Sequence, residues 1–150
     1  MSTYYGIVLA ITAGFFIVLQ LSINNTLSRY IGNLPTAFTT HIVGAVVAMV
    51  IIGVQLWYSP AMANSLQQWR TAPWYAYTGG ALGVIVVTVA LYAVQLLPMA
   101  TMFAVVTVSQ LVLGSCIDHY GLFGMPKVAI NAQKIFGILA LGLGVYLLKK

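Results

Sequence analysis

The sequence predicts an all-α membrane protein with five transmembrane helices, paired as an antiparallel homodimer. Of the 150 residues, 61% are hydrophobic and 5% are charged, whereas soluble domains contain roughly 25% charged residues. No charge precedes Arg29, none lies between Arg29 and Arg70, and none lies between Arg70 and Asp118. Each gap has room for at least one span of about 20 apolar residues. We expect helices because the long apolar runs lack the alternation of barrel strands, and backbone groups in hydrocarbon must be paired internally.

The first two spans are separated by a polar link. Span one covers about residues 4–23, which is longer than the ~7 to 15 apolar residues of a signal-peptide core, so we expect it to be uncleaved. Residues 24–35 are rich in turn-forming types and are expected to form the link. Span two covers about residues 36–57, and the loop 58–72 has room for a short interfacial helix.

The uncharged stretch from Pro73 to Asp118 must contain two spans. A single helix of this length would extend roughly 68 Å at 1.5 Å per residue, over twice the ~30 Å hydrocarbon core. Pro98 is the natural break because proline interrupts a helix. The remaining spans are therefore residues 73–96, 99–119 and 129–148, and residues 1–150 are expected to form one transmembrane domain.

The basic residues divide equally between the two sides of this five-span topology. Orientation in the membrane follows the Lys/Arg difference between the sides, and here that difference is absent. A chance balance in a short chain is one explanation. The other, which we favour, is that the chain inserts both ways and pairs with an inverted copy, giving the inverted repeat of many secondary transporters. The N-terminal side carries Arg70, Lys127 and Lys134, and the opposite side carries Arg29, Lys149 and Lys150.

The residue composition and the motifs of the sequence disfavour several classes of function. The net charge of +5 comes from scattered residues that form no stripe for nucleic-acid phosphates. The single cysteine, Cys116, has no partner in the chain for a disulfide. There is no HExxH or GxSxG motif, and one acidic residue supplies no acid and base pair. We therefore expect no enzyme, no metal and no cofactor, with lipid and a small molecule as partners.

Span four carries a polar stripe. Gln110, Gly114 and Asp118 recur every four residues and share one helix face, with Thr107 three residues below Gln110. The stripe would either hydrogen-bond to another helix or line a substrate cavity. Both interpretations remain open at this point.

Span one repeats the pattern with Gln20 and Asn24. Gln20 is a candidate for substrate contact. Asn24 is either a second contact or a turn or capping residue. His41 and Tyr92 are further candidates for lining the cavity. Amide, hydroxyl and aromatic groups of this kind suit a neutral or weakly polar cargo.

Asp118 is the only acidic residue, and it lies near the C-terminal end of its helix, where the helix dipole disfavours a carboxylate. Lys127 of the same chain, or Arg29 of an inverted partner, would offset this effect. Such a pair would either anchor the helix end or act as a gate or proton site. His119 points about 100° away from Asp118 on the helix, so we expect a polar anchor or a proton-handling residue and no catalytic dyad.

Small residues mark expected helix contacts. Such residues allow helix backbones to approach closely in membranes. We expect the face on span five to pack against another helix, within the chain or across the dimer. The residues are Gly79 and Gly83 in span three, Gly114 in span four, and Gly137, Ala140 and Gly144 in span five.

Together these motifs resemble a known family. The elements are Gln20-x3-Asn24-x2-Leu27 with Gly32 and Pro35, Gly79-Gly80-x2-Gly83, and Ser109-Gln110-x7-Asp118-His119-x-Gly121. They resemble the YdcZ family of small bacterial membrane proteins, in the drug/metabolite transporter superfamily. The resemblance implies five helices, an inner-membrane location, export, and members that occur as dual-topology proteins, oppositely oriented pairs or fused halves.

We therefore expect an inner-membrane secondary transporter, an exporter of a small metabolite or drug-like molecule, that works by alternating access in a dual-topology dimer. The alternative is a non-transporting membrane assembly subunit, whose polar face would be filled by a larger protein. The substrate, the coupling ion, the direction of transport and the choice between a homodimer and a heterodimer stay open at this point.

Overall fold

The computed structural model describes residues 3–59, 62 and 68–148, and within these ranges the chain is helical with no strand. This confirms the all-helical class. Residues 60, 61 and 63–67 of the loop between the second and third helices lie outside the described residues, as do the Trp69 and Arg70 side chains, Lys149 and Lys150. The α-helices are α1 (Thr3–Ile31), α2 (Asn33–Tyr58), α3 (Gly79–Leu96), α4 (Met99–Tyr120) and α5 (Ala132–Leu148). Short 3-10 segments cover Gln68–Thr71, Trp74–Thr78 and Leu122–Gly124.

Four helical segments are long and apolar enough to cross a membrane. They are α1, α2, the continuous segment Trp74–Leu96 that contains α3, and α4. The fifth helix, α5, is apolar but shorter, with 17 residues. At 1.5 Å per residue it extends roughly 25 Å, a little less than the ~30 Å hydrocarbon core. The described part of the chain thus contains four candidate membrane spans and a short apolar fifth helix.

The apolar side chains of these helices mostly face outwards. The buried hydrophobic residues among those described are Leu21, Ala37, Leu91 and Met102. Exposed apolar surface on this scale is unfavourable in water and marks contact with a membrane. Trp57 and Trp74 are 87% and 80% exposed and lie at span ends, where indole rings prefer the interface between lipid and water. The bilayer is therefore the environment of this fold.

The chain divides into two compact units, residues 1–92 and 93–150. In the N-terminal unit, α1 packs against α2. Helix α1 continues through residues 24–31, where the sequence analysis expected a turn-rich link that begins at Asn24. Asn24 and Ser28 are only 7% and 6% exposed. The burial of these two side chains overrides the preference of the isolated segment for a turn. The turn is confined to Gly32, whose φ of 85° suits glycine.

In the C-terminal unit, α4 and α5 pack against each other and run in opposite directions. The hydroxyl of Thr101, at the start of α4, donates a hydrogen bond to the carbonyl of Leu148 at the end of α5, at 3.2 Å. Pro98 lies just before the first residue of α4, where a missing N–H is tolerated. The two helices are therefore tied together at one end by a hydrogen bond.

Candidate functional site

A groove of about 380 Å³ lies between α4 and α5 in the C-terminal unit. This volume is within the ~300 to 1,000 Å³ range of small-molecule sites. The predicted polar stripe of α4 lines it, and Lys134 and Gly137 of α5 form the opposite side. The lining residues are Gln110, Leu111, Gly114, Ser115, Asp118, Lys134, Gly137, Ile138 and Leu141.

One end of this groove carries an ion pair. The Lys134 ammonium lies 3.8 Å from a carboxylate oxygen of Asp118, and the two side chains are 32% and 46% exposed. Asp118 belongs to the last turn of α4 and Lys134 to the first turn of α5. Each charge lies at the unfavourable end of its own helix dipole, and the attraction between the two opposite charges offsets this cost. The pair joins the ends of two antiparallel helices.

The connection between the helices places Lys134 near Asp118. Gly121 leaves α4 with φ 64° and ψ 37°, a left-handed cap that glycine adopts without strain. The chain then folds back, and the Val128 N–H donates to the Asp118 carbonyl at 2.9 Å. The Ile130 N–H donates to Nδ1 of His119 at 3.3 Å. His119 therefore anchors the connecting loop through its ring nitrogen.

The start of α5 is fixed by a cap. The side-chain oxygen of Asn131 accepts a hydrogen bond from the Lys134 N–H at 2.9 Å, as an N-cap residue does. Helix α5 accordingly begins at Ala132, later than the expected start near Ala129. The same cap sets the position of Lys134 on the first helical turn.

Within the chain, the ion-pair partner of the Asp118 carboxylate is Lys134 and not Lys127. Pairing of Asp118 with Arg29 of an inverted partner stays a prediction. Lys127 instead lies in the loop, with its Cβ 3.5 Å from the point where a Cβ on Gly121 would lie. Sequence reasoning had placed Lys134 on the same side of the membrane as Asp118. Asp118 and Lys134 lie equally far from the joined ends of two antiparallel helices, and this equal spacing would have predicted the pair.

The other residues predicted for this unit are divided between groove and surface. Gln110, Gly114 and Gly137 lie on the groove, whereas Thr107, Ala140 and Gly144 are not among its lining residues. Among the described residues, no atom comes within 4 Å of a Cβ added to Gly114, Gly137 or Gly144. The glycine faces of α4 and α5 thus leave space beside the groove. Ser115 lines the groove without having been predicted.

In the N-terminal unit, Asn24 connects α1 to α2. The Thr40 hydroxyl donates a hydrogen bond to Oδ1 of Asn24 at 3.0 Å. Asn24 is 7% exposed and lies inside α1, so its interpretation as a turn or capping residue is wrong. Buried amides are paired in this way because an unpaired polar group in hydrocarbon is costly. Thr40 is a contact that sequence reasoning missed, although it lies next to His41.

His41 contacts its own helix and faces α3. Its Nδ1 lies 2.7 Å from the Ala37 carbonyl oxygen. A Cβ added to Gly83 of α3 would lie 2.7 Å from the other ring nitrogen, Nε2. The glycine is therefore required for the imidazole to occupy this position. Gly79, one turn earlier in the predicted GxxxG pair, has no atom of the described residues within 4 Å of an added Cβ.

The remaining candidates of this unit lie apart from that contact. Gln20 and Asn24 both line a groove of about 540 Å³ that runs along α1 alone. Arg29 is exposed near the end of α1, and Tyr92 is 58% exposed on α3. The part of the chain that the structure describes contains no cluster of three or more His, Cys, Asp or Glu side chains suited to a metal ion.

Comparison with known proteins identifies the family. The family described as "Putative inner membrane exporter, YdcZ" matches residues 5–147. The chain belongs to this family. The inner membrane protein YdcZ of Escherichia coli (strain K12) is 26% identical over 140 residues, which cover 93% of this chain and 91% of that protein. No solved structure matches the chain.

Membership in the YdcZ family confirms the resemblance drawn from the motifs. It places the chain in the inner membrane as a multi-pass protein, in agreement with the four candidate spans. It also makes the chain a membrane transporter by family.

Proposed function

We propose that the chain is a secondary transporter that exports a small metabolite or drug-like molecule by alternating access, with two copies in opposite orientations. All five helices would cross the membrane, α5 as its shortest span. The observation that carries this proposal is the groove between α4 and α5, which has polar groups at membrane depth in a chain of an exporter family. Polar side chains at that depth most often mark a substrate path.

Gln110 is the strongest support. It lies near the middle of the 22-residue α4, is exposed, and has no hydrogen-bond partner among the described residues. An unpaired amide facing hydrocarbon would cost several kcal/mol. The amide therefore needs water, a cargo or a second copy of the chain to cover it, and a hydrated cavity in a dimer meets that need.

The inverted arrangement is supported by the charge balance. Three Lys or Arg residues fall on each side of a five-span topology, so the signal that orients a membrane protein is absent. Insertion in both directions would generate a pair related by a two-fold axis in the membrane plane. That symmetry is the basis of alternating access in many transporters, because the two states are then equivalent.

The groove favours a neutral or weakly polar cargo. Its two charged groups, Asp118 and Lys134, neutralise each other at one end. Gln110 is eight residues deeper, roughly 12 Å along the helix at 1.5 Å per residue. An amide both donates and accepts hydrogen bonds, and the apolar walls suit an uncharged body. In this proposal, the ion pair is the gate that opens as the cavity changes sides.

Flux into proteoliposomes tests the function. The purified chain is reconstituted and supplied with labelled metabolites and drugs. We expect saturable exchange of at least one compound, reduced about tenfold or more in Gln110→Leu, since a lost buried hydrogen bond of about 1.4 kcal/mol changes an equilibrium tenfold.

The matched control is Ser109→Ala. Ser109 is the neighbouring residue, and its hydroxyl donates to the Val105 carbonyl of its own helix at 3.0 Å. It does not line the groove. This variant should transport like the parent. Recovery of the chain only in complex with another polypeptide, without exchange of any compound, would instead support an assembly subunit.

A further inference from the structure

We propose that His41 is the proton-binding residue of the transport cycle, and that protonation of its Nε2 ends the close contact between the imidazole and Gly83 of α3. This inference rests on the proposed function and adds the coupling ion to it. His41 is the candidate because imidazole changes charge between about pH 5 and 8. It is also half-buried within a helix long enough to span the membrane.

The hydrogen bond of His41 fixes its tautomer. A carbonyl oxygen only accepts hydrogen bonds, so the nitrogen 2.7 Å from the Ala37 carbonyl, Nδ1, must carry a proton. In the neutral ring, Nε2 is then the atom with the lone pair. Uptake of a proton forms one N–H bond at Nε2 and leaves the Nδ1 bond to Ala37 intact. The proton comes from water on one side of the membrane and is released to water on the other.

The position of Nε2 makes this protonation consequential. Nε2 faces α3 at Gly83, so close that a methyl group there would lie 2.7 Å from it. In the neutral state the ring nitrogen packs against a glycine that offers it no side chain. An imidazolium at the same place has a new N–H donor and a charge that this packing leaves without an acceptor side chain. The charged form therefore favours separation of the helices and entry of water or cargo.

The N-terminal unit, residues 1–92, contains no acidic side chain that could act as a counter-ion for the charged form. The titratable or charged side chains on the helices next to α2 are Tyr4, Tyr5, Arg29 and Tyr30 on α1 and Tyr92 on α3. None of these is an anion at neutral pH. The neighbouring hydrogen bond between Thr40 and Asn24 joins two neutral groups.

Nitrogen-15 NMR tests the proton site without any cargo. The sequence has two histidines, so a His119→Gln variant leaves His41 as the only imidazole signal. We expect the neutral ring to carry its proton on Nδ1, and the acidified ring to carry a second proton on Nε2. A neutral ring with its proton on Nε2, or a ring whose Nε2 stays unprotonated on acidification of the folded protein, would overturn the proposal.

Two glycine variants in the same background supply a matched comparison. Gly83→Ala places a methyl group against Nε2, whereas Gly79→Ala, one turn earlier, meets no described atom within 4 Å. We expect Gly83→Ala to change the ring-nitrogen chemical shifts of His41, because the added methyl group displaces the imidazole from its position. Gly79→Ala should give the same chemical shifts as the parent. Equal effects of the two variants would contradict the contact at Gly83.

Transport separates this inference from the proposed function. His41→Gln should lose at least about tenfold of the accumulation driven by a pH gradient. Thr39→Val is the control, because the Thr39 hydroxyl bonds only within α2, and it should accumulate cargo like the parent. A His41→Gln variant that still concentrates cargo like the parent would refute the role of His41 and leave the transporter standing. A parent that exchanges no compound at all would instead contradict the proposed function.

Discussion

Asp118 and Lys134 form an ion pair at one end of the groove. The coupling energy between these two side chains is the sharpest quantitative test of the groove geometry. We consider Asp118→Asn, Lys134→Gln and the double variant. Each single change removes one charge and leaves the other unpaired on the unfavourable end of a helix dipole, which costs about 0.3 to 1 kcal/mol. The double variant removes both charges and both dipole costs. We therefore expect the double variant to be more stable than the two single changes would predict together.

The expected coupling follows from the geometry. At 3.8 Å, Coulomb's law gives roughly 4 kcal/mol at an effective dielectric of 20 and roughly 1 kcal/mol in bulk water. Both side chains are about one-third to one-half exposed, and exposed pairs measured in double-mutant cycles yield about 0.2 to 1 kcal/mol. We expect a coupling energy of about 0.5 to 1 kcal/mol, near the upper end of that range.

The assay is unfolding in mixed micelles of SDS and a mild detergent, followed by far-UV circular dichroism. The free energy of unfolding is measured for the parent, both single variants and the double variant. A second cycle that pairs Asp118→Asn with Lys127→Gln is the control, because Lys127 is exposed and is not the ion-pair partner of the carboxylate. A coupling below about 0.2 kcal/mol with Lys134, or a larger one with Lys127, would refute the assignment.

Three further variants test local contacts within each of the two units. Thr40→Val should lower the free energy of unfolding by about 0.6 to 1.5 kcal/mol, because it removes the donor to Asn24. Thr39→Val is its control, since the Thr39 hydroxyl bonds only within α2; equal losses would contradict the contact between helices. Asn131→Ala should cost about 1 kcal/mol by removing the cap of α5, and the same unfolding assay should show Asn131→Ser near the parent. Gly121→Ala should cost about 1 to 2 kcal/mol because its φ is 64°, and an unchanged unfolding curve would contradict the left-handed turn.

The class of fold is readable from the sequence because it depends on composition alone. Long uncharged runs in a chain with one acidic residue require lipid, and lipid requires paired backbone groups, which helices supply. Pro98 is visible in the sequence and lies at the boundary between α3 and α4. The end of α1 was not readable. Residues 24–31 have turn-forming types, and only the burial of Asn24 and Ser28 explains why they stay helical.

Part of the candidate site was also predictable from the sequence. Helical spacing placed Gln110, Gly114 and Asp118 on one face, and all three line the groove. The partner of Asp118 depends on how the loop after Gly121 folds back, which is set by backbone hydrogen bonds that leave no side-chain pattern. The contact between His41 and Gly83 was likewise hidden, because it joins two helices far apart in sequence.

The central claim is that the chain inserts in both orientations, and a pair of C-terminal reporters measures this directly. A fluorescent protein that matures only in the cytoplasm and a phosphatase that is active only in the periplasm should both report activity for the parent. Tyr30→Lys and Gln68→Lys add one positive charge at exposed positions on opposite sides of the expected topology. We predict that they shift the reporter ratio in opposite directions. A parent with one active reporter, unmoved by either charge, would contradict the account.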